Sequence, residues 1–174
     1  MNDMMPQWTK KDFSSNPIYV NDEDWRQIND ILNTEIIRIK YYPDSPHLII
    51  NDVGNWVDLY VYEDITLKAG ERTYIPLGVA MELPQGYEAI MASRSSTFKR
   101  YGLLQSNAIG VIDSSFCSND DQWMYPAYAT RDITIPKGAR ICQFRILKSQ
   151  PPLEFQEVED LGNPVRGGLG STGV

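Results

Sequence analysis

Short β-rich stretches, cut every few positions by glycine and proline, run from residue 34 to residue 147 of this 174-residue chain. Residues 34–42 and 57–62 alternate apolar and polar side chains, the period of a half-buried strand. Shorter runs follow at 73–75, 79–83 and 88–91, then at 109–112, 123–130 and 140–147. Lys68-Ala69-Gly70-Glu71, Leu83-Pro84-Gln85-Gly86 and Pro136-Lys137-Gly138 read as turns between them. No run is long enough for a substantial helix, so one all-β sandwich or barrel is expected. Ahead of it, residues 21–33 read as a short helix with Asn21 or Asp22 as cap. Trp25, Ile28, Ile31 and Leu32 give that helix one apolar face, for packing or for a partner. From Gly162 onward the chain is glycine-rich, with no strand or helix period, and a mobile tail is expected. The resulting division is an N-terminal extension at 1–33, a β domain at 34–161 and a tail at 162–174.

Charge narrows the partners. A formal net charge of −7 argues against nucleic acid, which calls for a basic face. A small anionic substrate is not excluded, because a few local cations and backbone amides can hold it. Cys117 and Cys142 lack metal-site spacing and read as free thiols of a reducing cytosol. His47 is the only histidine, too little for histidine-based nucleophilic catalysis or a zinc site. Residues 1–6 lack the basic start and apolar run of a signal peptide, and no stretch suits a membrane span. A cytoplasmic protein is expected.

Four groups of residues could carry chemistry. Arg94-Ser95-Ser96 precedes a possible one- or two-turn helix over 97–101, ended by Gly102, with Ser95 as cap. An arginine and two hydroxyls beside a helix start suit an anion, or form an ordinary cap with a surface arginine. In Gly110-Val111-Ile112-Asp113, an apolar run delivers one carboxylate at a strand end. That carboxylate can take a proton from water, or it is a turn aspartate. Phe116 can stack on a sugar or base, or close the core. In the tail, Arg166-Gly167-Gly168-Leu169-Gly170-Ser171-Thr172-Gly173 combines glycines that admit an anion, two hydroxyls and a forked cation, unless it is only a flexible end. Asp58 and Gln143 sit in strand patterns near turns and could bind magnesium or its waters, or be structural.

Taken in order, these pieces resemble the five motifs of the trimeric dUTP diphosphatases, over roughly residues 34–174. Val57-Asp58-Leu59-Tyr60 is similar to the first motif and Arg94-Ser95-Ser96 to the second. Residues 107–116, Gly138-Ala139-Arg140-Ile141-Cys142-Gln143 and the tail resemble the third, fourth and fifth. Residues 76–84 and 123–128 look closest to the phage and Gram-positive branch. The resemblance implies a distorted β jelly roll, a homotrimer with shared active sites, and magnesium-dependent hydrolysis of dUTP to dUMP and pyrophosphate. It implies that Asp113 activates the water attacking the α-phosphorus and that Phe116 lies under the deoxyribose. Asn107, Gly110, Val111 and Ile112 would lie at the nucleoside, with backbone around Gly110 reading uracil. Arg94, Ser95 and Ser96 would hold the α- and β-phosphates. Arg166, Gly168, Leu169, Gly170, Ser171 and Thr172 would close over the γ-phosphate end, and Asp58 and Gln143 would hold waters of substrate-chelated Mg2+.

Three departures stand out. Phe116 replaces the family's usual tyrosine, no glycine follows it in Cys117-Ser118-Asn119-Asp120-Asp121, and Leu169 replaces an aromatic that caps uracil in many members. Trp123 or Tyr125 is a candidate replacement for that cap. A dCTP deaminase of the same fold needs an extra acid after the third motif, and residues 122–130 hold no Asp or Glu. The resemblance to phage members also leaves room for a non-catalytic or dual-role regulator whose binding to a host protein is gated by nucleotide. Residues 1–33, which have no counterpart in the resemblance, would be its distinguishing feature.

Overall fold

The structure, a computed structural model, describes residues 35–50, 54–165 and 167. The helix expected over 21–33 lies outside them, as do Arg166 and residues 168–174 of the tail.

Eleven strands and one short helix follow one another in the described chain. They are β1 (Arg38–Tyr41), β2 (Val57–Tyr60), β3 (Ile65–Leu67), β4 (Arg72–Pro76), β5 (Val79–Glu82) and β6 (Tyr87–Ser93). The helix α1 (Thr97–Tyr101) comes next. After it run β7 (Leu103–Gln105), β8 (Gly110–Asp113), β9 (Met124–Ala129), β10 (Ile133–Ile135) and β11 (Arg140–Lys148). All described pairings are antiparallel: a four-stranded sheet in the order β2-β11-β6-β8, a three-stranded sheet β4-β9-β7, and the pairs β1-β5 and β3-β10. The all-β expectation holds. The short strands β3, β7 and β10 are additions, too brief at three residues each for a period of two to register.

The core is what the alternation demands. Leu59, Val61, Ile75, Trp123, Tyr125, Ile135, Ile141 and Cys142 are fully buried between the sheets. Each large aliphatic side chain there contributes about 1.5–3 kcal/mol of transfer free energy. Trp123 meets Phe144 edge to face at 5.1 Å. Burial drives the Tyr125 hydroxyl up to about 12, although Ser93 bonds it at 2.7 Å. Trp123 and Tyr125 are therefore core residues, and neither can cap a base, contrary to the sequence-based candidate.

One irregularity in this frame positions functional groups. Along β11, Arg140 pairs with Tyr60 but Cys142 pairs with Leu59, so Ile141 is an extra, bulged residue. The bulge turns both Ile141 and Cys142 inward and moves Gln143 opposite Asp58. Without it, Cys142 would face that aspartate.

Candidate active site

Two clusters emerge, one at each end of β6. The first is built on the bulge. The Ile141 carbonyl accepts the Arg94 N–H at 3.2 Å and the buried Thr97 hydroxyl. This ties the Arg94-Ser95-Ser96 turn to β11 before α1 begins. The Thr97 N–H donates to the Arg94 carbonyl at 3.0 Å, so the helix start is served by backbone. Ser96, not Ser95, holds the cap position, and its side chain makes no capping bond. Ser95 is exposed and Ser96 half-buried. At the other end Gly102 adopts φ 60° and its N–H returns to the Phe98 carbonyl at 2.7 Å, as the sequence pattern predicts. Arg131 donates to the Lys99 and Arg100 carbonyls and completes the cap.

Asp58, opposite Gln143 across the β2-β11 pairing, is mostly buried and held between two guanidinium groups. Arg94 Nε lies 2.7 Å from one carboxylate oxygen and Arg140 Nη1 3.1 Å from the other. Asp58 thus fixes two arginines beside Gln143 and the two serines. Arg140, half-exposed here, was not singled out from sequence. Its only signal was membership of the fourth motif.

The second cluster lines an open cleft of about 380 Å3, which brings together Asn107, Gly110, Val111, Ile112, Asp113 and Phe116 with Tyr74, Gln122 and Met124. Asp113 ends β8, as expected from the apolar run before it. One of its oxygens, Oδ1, accepts both the Ser115 N–H at 2.8 Å and the Ser115 hydroxyl. These bonds, the hydroxyl first, hold the Asp113 carboxyl below the usual carboxylate range. The group is ionised at neutral pH, and Oδ2 takes no protein partner among the described residues. Gly110 is buried against β6, where a Cβ would stand 3.0 Å from Met91 Cε. Phe116 is partly exposed at the cleft. Tyr74 is the other exposed aromatic there, and β-strand alternation on β4 was its only sequence signal.

β8 pairs with β6 so that Asp113 stands opposite Glu88, whereas Arg94 follows the other end of β6. Six residue steps separate Glu88 from Arg94, roughly 20 Å at about 3.3 Å per residue. Within one chain the carboxylate and the arginine-serine cluster do not meet.

A sequence profile of the dUTPase family matches residues 54–173, which include both clusters. The chain belongs to the dUTPase family. Over 140 residues it is 52% identical to the SPbeta prophage-derived deoxyuridine 5'-triphosphate nucleotidohydrolase YosS of Bacillus subtilis (strain 168), covering 79% of this chain and 98% of that one. Over 144 residues it is 35% identical to the deoxyuridine 5'-triphosphate nucleotidohydrolase of Finegoldia magna, covering 82% and 99%. Among solved structures, a point mutant of the dUTPase of Staphylococcus bacteriophage 80alpha with dUpNHpp superposes with a TM-score of 0.68 at 20% identity, over 81% of this chain and all of that one. A point mutant of the dUTPase of Staphylococcus aureus phage phi11, whose structure reveals the coordination of a structural Mg(II) ion, superposes at 0.63 with 16% identity over 73% and 99%. These likenesses identify the β architecture as the dUTPase fold. The enzyme is a dUTP nucleotidohydrolase. Among its described residues no helix is long and apolar enough to cross a membrane.

Proposed function

We propose that the enzyme hydrolyses dUTP to dUMP and pyrophosphate by attack of an Asp113-activated water on the α-phosphorus, at sites shared between the subunits of a homotrimer. The observation that carries this reading is the Asp113 carboxylate, ionised and tethered through one oxygen, at the edge of a cleft large enough for a nucleoside. Asp113 Oδ2 takes a proton from the water as its oxygen bonds to phosphorus, and pyrophosphate leaves with the bridging oxygen. Phe116 supports the sugar, while Asn107, Gly110, Val111 and Ile112 face the base. Arg94, Ser95 and Ser96 bind the α- and β-phosphates. Arg166, Gly168, Leu169, Gly170, Ser171 and Thr172 close on the γ-phosphate, completing a division into extension, β domain and phosphate-binding tail at residues 33 and 162. Positioning and charge stabilisation supply most of the rate in such phosphoryl chemistry. Since roughly 20 Å of strand separates the two clusters within a chain, the phosphate-binding cluster opposite Asp113 belongs to a neighbouring subunit.

Magnesium fits as an outer-shell partner. Among the described residues no group of three or more His, Cys, Asp or Glu could cage an ion. Asp58 already bonds two arginines, and with Gln143 offers oxygens suited to the waters of an ion chelated by phosphates. Such an ion neutralises triphosphate charge. The decisive experiment measures pyrophosphate release from dUTP, UTP, dCTP and dTTP with magnesium. Preference for dUTP is expected, and ammonia release from dCTP would overturn the reading.

A second, dual role is favoured by one observation: the family match begins at residue 54, and about a fifth of this chain lies outside its alignment to the 52%-identical relative. Residues 1–33 then serve a host protein partner whose binding depends on nucleotide. Capture from host lysate with the full chain but not with residues 34–174, changed by a non-hydrolysable dUTP analogue, is the expected result.

A further inference from the structure

We propose that Gln105 is a positioning residue that decides which end of the Asn107 side-chain amide faces the nucleoside cleft, and thereby selects uracil against cytosine. The proposal rests on the reading of the cleft as the nucleoside site.

Gln105 ends β7, and a tight turn follows in which the Ala108 N–H donates to the Gln105 carbonyl at 3.2 Å and Ala108 adopts φ 60°. The turn brings Asn107 back over the Gln105 side chain. Gln105 Nε2 lies 3.1 Å from the Met91 carbonyl oxygen on β6. A carbonyl only accepts, so the group facing it must be the NH2 end of the amide. The same nitrogen lies 3.1 Å from Asn107 Oδ1. Both protons of Gln105 Nε2 are thereby spent. Gln105 Oε1 is buried without a partner among the described residues, yet flipping this amide would set oxygen against the Met91 carbonyl. The backbone of β6 thus dictates the orientation of Gln105, and Gln105 dictates that of Asn107.

Asn107 is exposed and lines the cleft. With Oδ1 committed to Gln105, the end left for a ligand is Nδ2, a donor. Uracil and cytosine differ at the 4-position, a carbonyl acceptor in one and an amino donor in the other. An outward NH2 pairs with the carbonyl and sets donor against donor with the amine. A site built on such a hydrogen bond discriminates strongly, because the wrong base leaves polar groups unpaired. Thymine carries the same carbonyl as uracil and is not sorted by this device.

The test compares kcat/KM for dUTP, dCTP and dTTP in the wild type, Gln105→Leu and Gln105→Glu. Leucine frees the Asn107 amide to rotate, and the dUTP/dCTP ratio should fall roughly tenfold, the scale of one hydrogen bond. In Gln105→Glu the oxygen that takes the place of Nε2 donates its proton to the Met91 carbonyl and turns a lone pair, an acceptor, to Asn107. Asn107 then turns its NH2 inward and its oxygen to the cleft, so the ratio should fall further than with leucine. In both variants the dUTP/dTTP ratio should stay at the wild-type value. Thermal melting establishes that each variant is folded; if Gln105→Glu is not, the leucine variant decides alone. An unchanged dUTP/dCTP ratio overturns the proposal, as does a parallel fall in both ratios, which marks a merely structural residue. Failure of the wild type to hydrolyse dUTP strikes the reading of the cleft itself, and the proposal falls with it.

Discussion

At the scale of single residues, the turn geometry of Asp113 is compatible with the general-base role proposed for it. Ser115 occupies one carboxylate oxygen twice and leaves the other for water. Asp113→Asn should preserve folding and nucleotide binding while lowering kcat by about 10²–10⁴, the usual size of a general-base contribution. Single-turnover kinetics on dUTP check it, and near-full activity would assign the water to another group. The pH profile follows from the same bonds. Hydrogen bonds to the ionised form lower the folded-state pKa, so the acid limb of kcat/KM should fall below about 3.9, the ordinary aspartate value. Ser115→Ala removes the largest of these bonds but keeps the backbone donor, and the limb should move upward. A limb that stays in place would mean that another group controls it.

Among elements, the bulge on β11 and the start of α1 act as one unit. A five-residue helix has little stability of its own, so tertiary bonds must hold it. Thr97→Val leaves the Ile141 carbonyl still paired with the Arg94 N–H, so the cost is about 0.5–1.5 kcal/mol, the net contribution of one hydrogen bond. The melting temperature should drop, and KM for dUTP should rise as the arginine turn loosens; a lower melting temperature with unchanged KM would uncouple the two. The tail makes the opposite prediction. Removing residues 166–174 deletes only two apolar side chains, Leu169 and Val174, so little core is lost. Stability should barely change while turnover collapses and dUMP binding survives. Full-rate hydrolysis by the truncated protein would reduce the tail to a linker.

For the molecule as a whole, the described chain exposes a good deal of apolar surface for its size. Tyr74, Val111, Phe116 and Met124 stand open around the cleft. Residues 149–165 run outside any strand, with Phe155 91% and Leu161 80% exposed. Exposed apolar side chains of this kind suit the subunit interface proposed above. Light scattering should give the mass of three 19.9 kDa chains, and a monomer at assay concentration contradicts the shared-site reading. Sharing has a sharper consequence. Asp113→Asn and Arg94→Ala trimers should each be inactive, but unfolding and refolding them together should restore part of the activity. Mixed trimers contain sites where an intact Asp113 meets an intact Arg94 from the next subunit. If mixing restores nothing, the two clusters do not serve one site.

Asp113 at a strand end, Gly102 closing a short helix and the alternation that buries Leu59 and Ile75 were legible in the sequence because each depends on neighbours within a few residues. Local conformation and a period of two are written into adjacent positions. Which residues face one another is not. That Gln143 rather than Cys142 stands opposite Asp58 depends on a bulge whose freed carbonyl is taken by Arg94 and Thr97, over forty residues earlier. That Trp123 is core and Tyr74 open depends on which sheet face packs inward. That the Asn107 amide turns its nitrogen outward depends on the Met91 carbonyl on another strand. Pairings between distant segments are chosen by the packing of the entire chain, so only the tertiary structure decided them.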